Sequence, residues 1–183
     1  MSGSRADDRV AGRGADEATD RVRAPSARKI ASLPALREAV EGHRAAGRTV
    51  AMANGVFDLI HVGHVRYLEA AKAMADVLVV AVNSDASTRA NKGPSRPIVP
   101  EDERAELVSA LGCVDHVVLF DERSPIEVIR ALRPDLQVKG TDYTPDAIPE
   151  RAEVEAYGGR VAVAGDPKDH STTDTLRKLE RTA

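Results

Sequence analysis

Asp58, His61 and His64 lie close together in the segment Ala53-Asn54-Gly55-Val56-Phe57-Asp58-Leu59-Ile60-His61-Val62-Gly63-His64. An apolar strand end precedes them and a helix begins beside them. A helix start carries unpaired backbone N–H groups and the positive end of the dipole, so it attracts anions. Two imidazoles added at that point make a cluster of donors suited to a polyphosphate. Nucleotidyl and phosphoryl transfer depend mainly on positioning and on neutralising charge on the phosphate oxygens. Two other readings use the same residues. The histidines can be a surface or capping pair, or Asp58, His61 and His64 can be metal ligands at short spacing. No second His/Asp/Glu cluster stands out as a source of further ligands, and no metal site is assigned. Asp58 itself either fixes the tautomer of a nearby histidine or helps hold Mg²⁺.

A second anion site is expected where His170-Ser171-Thr172-Thr173 leads into the last helix. The three hydroxyls serve as caps, as phosphate contacts, or as both. Arg177, one turn in, reaches the same phosphate or lies on a solvated face. Lys92 and Arg96 fall in the Gly/Pro-rich stretch Lys92-Gly93-Pro94-Ser95-Arg96-Pro97. They are either solvated loop charges or groups that fold over a substrate phosphate. Lys139 ends an apolar strand and is followed by Gly140, which places a charge at the ligand crevice and favours a phosphate role. Asp142 and Tyr143 follow as sugar or base contacts, or as turn residues.

The elements that must hold these residues alternate. Residues 1–28 are rich in Arg, Asp, Ala, Gly and Ser and cannot bury enough apolar surface to offset their ordering entropy, so a disordered tail is expected before a domain over 29–183. Leu33, Leu36 and Val40 recur at helical spacing before Gly47. Strands are expected over Thr49–Asn54, Asp76–Asn83, His116–Phe120, Leu136–Lys139 and Arg160–Ala164. Helices are expected over Gly63–Ala75, from Glu101 to near Gly112, over Pro125–Leu132, Ile148–Tyr157 and Thr172–Glu180. Ser84–Pro100 reads as a loop. Alternation of this kind predicts a single-domain α/β fold, a Rossmann-like doubly wound parallel sheet whose ligands bind beyond the carboxyl ends of the strands.

Composition narrows the function class. Net charge is −3, which gives no support to a nucleic-acid binder. Aromatics are 3% with no Trp, so the core must be aliphatic. The single cysteine, Cys113, excludes an internal disulfide and a cysteine-rich zinc module; it reads as a small buried hydrophobe. No apolar run has transmembrane length and the N-terminus lacks a signal-peptide core, so no membrane partner and a cytoplasmic location are expected.

With His61, Gly63 and His64 matching its signature and Ser171-Thr172-Thr173 its second motif, the chain resembles the HxGH nucleotidyltransferase superfamily. More specifically it is similar to the adenylyltransferase family that activates D-glycero-D-manno-heptose 1-phosphate. The similarity runs from about Lys29 to Leu179. It includes Asn54-Gly55-Val56-Phe57-Asp58, His64-Val65-Arg66-Tyr67-Leu68, Val82-Asn83-Ser84-Asp85, Lys92 to Pro97, and Val138-Lys139-Gly140-Thr141-Asp142-Tyr143-Thr144-Pro145. The resemblance implies transfer of AMP from Mg²⁺-bound ATP to the sugar 1-phosphate, giving ADP-heptose and pyrophosphate, in a homodimer. It implies catalytic roles for His61, His64 and Lys139. It implies nucleotide contacts from Asn54, Gly55, Phe57, Asp58, Gly63, Ser171, Thr172, Thr173 and Arg177, and substrate-phosphate contacts from Lys92, Arg96 and Asp142. The attacking phosphate is already an anion, so no protein nucleophile or general base is implied.

Two departures from relatives are informative. The Arg-Thr-x-Gly lead found in glycerol-3-phosphate cytidylyltransferases is replaced by Gly165-Asp166-Pro167-Lys168-Asp169-His170, which disfavours that reading. A sugar kinase is often fused ahead of this domain; only a polar tail precedes it here, so the kinase step is expected on a separate chain. The alternative within the chemistry is a guanylyl- or cytidylyltransferase acting on heptose 1-phosphate or another phosphorylated alcohol such as glycerol 3-phosphate. A class I aminoacyl-tRNA synthetase shares a similar signature but needs an anticodon-binding module and a basic face. A nucleotide-binding regulator needs affinity alone, which leaves the combination of both histidines with Lys92, Arg96 and Lys139 unexplained.

Overall fold

Val77, Val79, Val80 and Val82 dominate a strand, Val77–Asn83, in which every residue is buried. An apolar, β-branched run of that kind fits a parallel strand covered on both faces. It is β2 of a five-stranded parallel sheet in a computed structural model that describes residues 25–166. The others are β1 (Val50–Gly55), β3 (His116–Phe120), β4 (Leu136–Gly140) and β5 (Arg160–Ala164), in the order β3-β2-β1-β4-β5. Helices α1 (Leu33–Ala45), α2 (Val62–Lys72), α3 (Asp85–Lys92), α4 (Glu101–Ser109), α5 (Ile126–Leu132) and α6 (Arg151–Glu155) connect and cover them.

Side chains alternate across each strand, so one sheet serves two cores. Ala51 and Ala53 of β1 face Leu68 and Ala71 of α2 and Ala105 and Val108 of α4. Val50 and Met52 face Leu36 and Val40 of α1, Val128 and Ile129 of α5, and Val154 of α6. This is the doubly wound α/β arrangement that the alternation predicts. The chain winds outward from β1 through β2 to β3, then returns to β4 on the other side of β1. The strand order therefore reverses between β1 and β4, where a doubly wound sheet opens its ligand crevice. Ala53 pairs with Val138, so Asn54 and Lys139 come next at the carboxyl ends of the two strands.

Three boundaries differ from the sequence expectation. Residues 25–28, at the end of the expected tail, belong to a 3₁₀ helix, Pro25–Lys29, with Ala27 buried. Residues 1–24 lie outside the described residues, as do residues 167–183 with the expected last helix. The Ser84–Pro100 loop contains α3. It hides from hydrophobic periodicity because it buries Ser87 and Thr88 rather than aliphatic side chains. The Ser84 side chain caps it, and Gly93, at φ 95°, ends it. The helix expected over Ile148–Tyr157 shortens to α6, because Pro149 holds Ile148 in extended backbone (ψ 116°).

Candidate active site

The histidine segment folds as a strand-to-helix turn beyond β1. His61 is the N-cap of α2 in extended backbone, and the His64 N–H donates to its carbonyl at 2.9 Å. Gly63 separates the two histidines within the first turn. The imidazoles stack, with centroids 3.9 Å apart and planes at 26°. Phe57 is buried in left-handed backbone (φ 51°) and lays its ring 5.3 Å from that of His64. A non-glycine residue there stores strain of about 1–2 kcal/mol, and such strain collects at functional turns. Gly55 makes room for it: a Cβ on Gly55 would stand 3.1 Å from the Phe57 ring.

This packing sets the charge of His64. Burial, the neighbouring His61 and then the Lys92 ammonium push its pKa down to about 4. The ring is neutral at pH 7. Its Nδ1 accepts from the His61 backbone N–H at 3.4 Å, which leaves Nε2 to carry the proton and act as donor. The structure therefore brings His61, His64 and Lys92 together at the α2 start. Lys92 is the last residue of α3 rather than part of a loop.

Asp58 and Arg96 meet each other. The Asp58 carboxylate accepts from Arg96 Nη1 at 2.5 Å, from the Ile98 N–H at 2.7 Å and from the Val99 N–H at 3.0 Å. Its side chain is 3% exposed. Burial pushes this carboxyl up, but the Val99 and Ile98 N–H groups and the Arg96 guanidinium outweigh it and hold it below its ordinary value. Asp58 pins the 96–99 segment against the turn; its carboxylate is engaged by Arg96 and these two N–H groups rather than by a histidine ring, which corrects the tautomer-fixing reading. Among the described residues no group of three or more His, Cys, Asp or Glu side chains is arranged to hold a metal ion. Mg²⁺ arriving on nucleotide phosphates needs no such cage.

Lys139 lies near the carboxyl end of β4 and reaches toward Asn54 of β1, with its side chain 7% exposed. Its Nζ donates to Asn54 Oδ1 at 2.8 Å and to Glu150 Oε1 at 2.9 Å, and stands 5.4 Å from the Tyr143 ring centroid. Gln137 Nε2 donates to the same Asn54 oxygen at 2.9 Å. The lysine is thus clamped by a buried carboxylate. Asp142 follows β4 in an exposed turn. Ser171, Thr172, Thr173 and Arg177 lie outside the described residues.

Sequence reasoning missed three residues. Glu150 and Gln137 sit in segments read only as helix and strand, and a polar residue inside the apolar run Leu136-Gln137-Val138 was the available signal. Arg104 reads as one more charge in an acidic helix start, yet it is fully buried. Its Nε donates to the Val99 carbonyl at 2.8 Å, Nη1 to those of Val56 and Asn83 at 2.6 and 2.7 Å, and Nη2 to Asp85 at 2.8 Å. One guanidinium thereby ties together the loops at the carboxyl ends of β1 and β2.

Residues 52–178 match the model of the cytidylyltransferase-like family, and that span runs from within β1 past the last described residue. The chain belongs to the cytidylyltransferase-like family. It is 49% identical over 151 residues to the bifunctional protein HldE of Syntrophotalea carbinolica, covering 82% of this chain and 31% of that protein. It is 49% identical over 154 residues to HldE of Trichlorobacter lovleyi, again covering 31% of the relative. The chain thus spans about a third of the length of these curated relatives. Among solved structures it resembles a lipopolysaccharide core biosynthesis protein from Thermoplasma volcanium, with TM-score 0.58, 32% identity, and coverage of 67% of this chain and all of the other. The matched span includes the strand-to-helix turn with its stacked histidines.

Proposed function

We propose that this cytidylyltransferase-like domain transfers the adenylyl group of Mg·ATP to D-glycero-D-manno-heptose 1-phosphate, releasing pyrophosphate. The observation that carries nucleotidyl transfer is the stacked pair His61–His64 at the start of α2, with His64 held neutral as a donor. The heptose assignment draws on the ordered sequence blocks from Asn54 to Pro145, on the similarity to the HldE proteins, and on the neighbour named for lipopolysaccharide core biosynthesis.

In this reading an oxygen of the sugar phosphate attacks the α-phosphorus of ATP. A new P–O bond forms, the bond to the β-phosphate oxygen breaks, and pyrophosphate leaves with that electron pair. The nucleophile is already anionic, so the protein supplies alignment and charge stabilisation. His64 Nε2–H, His61 and the N–H groups of the first α2 turn would meet the phosphate oxygens. Lys92, whose charge is felt at His64, would add an ammonium, and Mg²⁺ would come bound to the nucleotide. The hydroxyl motif Ser171-Thr172-Thr173 with Arg177 is assigned to the triphosphate by sequence resemblance, and the active species is proposed to be a cytoplasmic homodimer.

The test is pyrophosphate release with Mg²⁺ and ATP, GTP or CTP in turn, against each anomer of the heptose 1-phosphate. Release with ATP and one anomer supports the proposal. Release with GTP or CTP keeps the mechanism and changes the nucleotide, and silence with both anomers refutes the heptose assignment.

A further inference from the structure

The side chains of Asn54, Gln137, Lys139 and Glu150 form a chain of hydrogen bonds whose polarity is fixed by chemistry. A lysine ammonium only donates, so the Asn54 atom 2.8 Å from Lys139 Nζ is the oxygen. That oxygen only accepts, so the Gln137 atom 2.9 Å from it is the NH₂. Glu150 completes the series, with Oε1 2.9 Å from Nζ. Reversing either amide would set two donors or two acceptors against each other.

The arrangement leaves its mark inside the sheet. Gln137 is fully buried, and its Oε1 has no hydrogen-bond partner. An orphaned buried acceptor costs stability, and a Leu or Met at this position would avoid it. Glutamine is kept where its one engaged group holds Asn54. With Oδ1 taken twice, Asn54 has one hydrogen-bonding group left, its Nδ2H₂, on the opposite side of the amide from Gln137 and Lys139. Asn54 is half-buried at the carboxyl end of β1, at the edge of the β1/β4 crevice.

We infer that Gln137, Lys139 and Glu150 are positioning residues that lock the Asn54 amide with its NH₂ toward the crevice, where it donates to a phosphate oxygen of a bound substrate. Lys139 then acts through Asn54 rather than by holding phosphate itself. The inference rests on nucleotidyl transfer in this crevice and adds Glu150 and Gln137 to the machinery. The phosphate can belong to the nucleotide or to the acceptor sugar, and the choice of probe separates them.

The experiment measures binding of Mg·ATP, of heptose 1-phosphate and of inorganic pyrophosphate to the full chain by calorimetry, together with the thermal midpoint. Asn54→Asp keeps an oxygen for Lys139 and Gln137 but replaces the outward donor with an acceptor. It is expected to hold its thermal midpoint and to weaken at least one phosphate probe about tenfold or more. A loss with ATP and pyrophosphate assigns the contact to the nucleotide; a loss with the heptose phosphate alone assigns it to the acceptor. Glu150→Gln is expected to weaken the same probe by a smaller factor and to add nothing in the Asn54→Asp background, because both act on one contact. Gln137→Met, which removes the orphan, is expected to fold as well as or better than the parent while binding the probe more weakly. This variant carries the test if Asn54→Asp does not fold. Binding within twofold of the parent for folded Asn54→Asp or Gln137→Met overturns the inference, as does a multiplicative loss in the Glu150→Gln double variant. A parent that binds pyrophosphate but never turns over heptose phosphate refutes the heptose reading and leaves this comparison intact.

Discussion

Replacing Arg104 with methionine, which has similar length and no charge, isolates what the buried guanidinium does. The substitution removes four hydrogen bonds from a residue with no exposed surface: three to backbone carbonyls (Val56, Asn83, Val99) and one to Asp85. Removing one member of a buried charged cluster costs about 3–5 kcal/mol, because its partners are left buried and unpaired. The Asp85 side chain is 27% exposed and can be rewetted, so most of that cost falls on the carbonyls. For a chain of 183 residues each kcal/mol moves the thermal midpoint by about 2–4 °C. Arg104→Met is therefore expected about 6–20 °C below the parent, with a lowered urea midpoint at unchanged m-value. Asp85→Asn keeps an oxygen acceptor for Nη2 and is expected to cost no more than about 1 kcal/mol, in the range of a partly exposed pair. If Arg104→Met costs no more than Asp85→Asn, the carbonyl contacts do not hold these loops and the argument fails.

His64→Gln should lower turnover by about 10²–10³-fold, as loss of one preorganised transition-state donor does, while Mg·ATP affinity by calorimetry changes far less. The His64 pKa of about 4 lies below its ordinary 6.5, so between those values the unfolded chain binds a proton that the native ring does not. Stability should rise with pH across that window by at most about 3 kcal/mol, and chemical denaturation of His64→Gln at pH 4.5 and 7 should show that rise reduced. Gly165 has φ 99°, and a Cβ there would stand 3.2 Å from the Tyr67 Cα. Gly165→Ala is expected to lower stability by about 1–3 kcal/mol in urea titration. EDTA should abolish pyrophosphate release without shifting the thermal midpoint of the nucleotide-free protein, since Mg²⁺ enters with the nucleotide; a large shift would point to a resident metal.

The strands were legible because a buried parallel strand must be apolar along its whole length, as Val77–Asn83 is. The histidine turn was legible because its chemistry is carried by neighbours in sequence. The segment Asp85–Lys92 was not, since the side chains it buries, Ser87 and Thr88, are polar, and the partner that accepts from Ser87 Oγ, the Glu122 carbonyl at 2.6 Å, lies far along the chain. Long-range charge pairs were hidden for the same reason. Nothing near Lys139 announces Glu150, and nothing near Asp58 announces that its carboxylate closes on Arg96 and the Ile98 and Val99 N–H groups. A sequence shows which residues are charged, whereas the fold decides whether each charge meets substrate or another side chain.

That distinction changes the electrostatics of the crevice. Arg96 and Lys139 read from the sequence as cations for a phosphate, but each is matched by a carboxylate, Asp58 and Glu150, as the buried Arg104 is by Asp85. Fixed pairs of this kind contribute little net field at a distance and hold loops and amides in place. The α2 start adds donors of another kind, the neutral His64 imidazole and the N–H groups of the first helical turn. Burial is the largest cause of that neutrality, and the charges of His61 and Lys92 add to it. In the proposed reaction the polyphosphate and its Mg²⁺ would bring opposite charges together, and the protein would have only to fix where they sit.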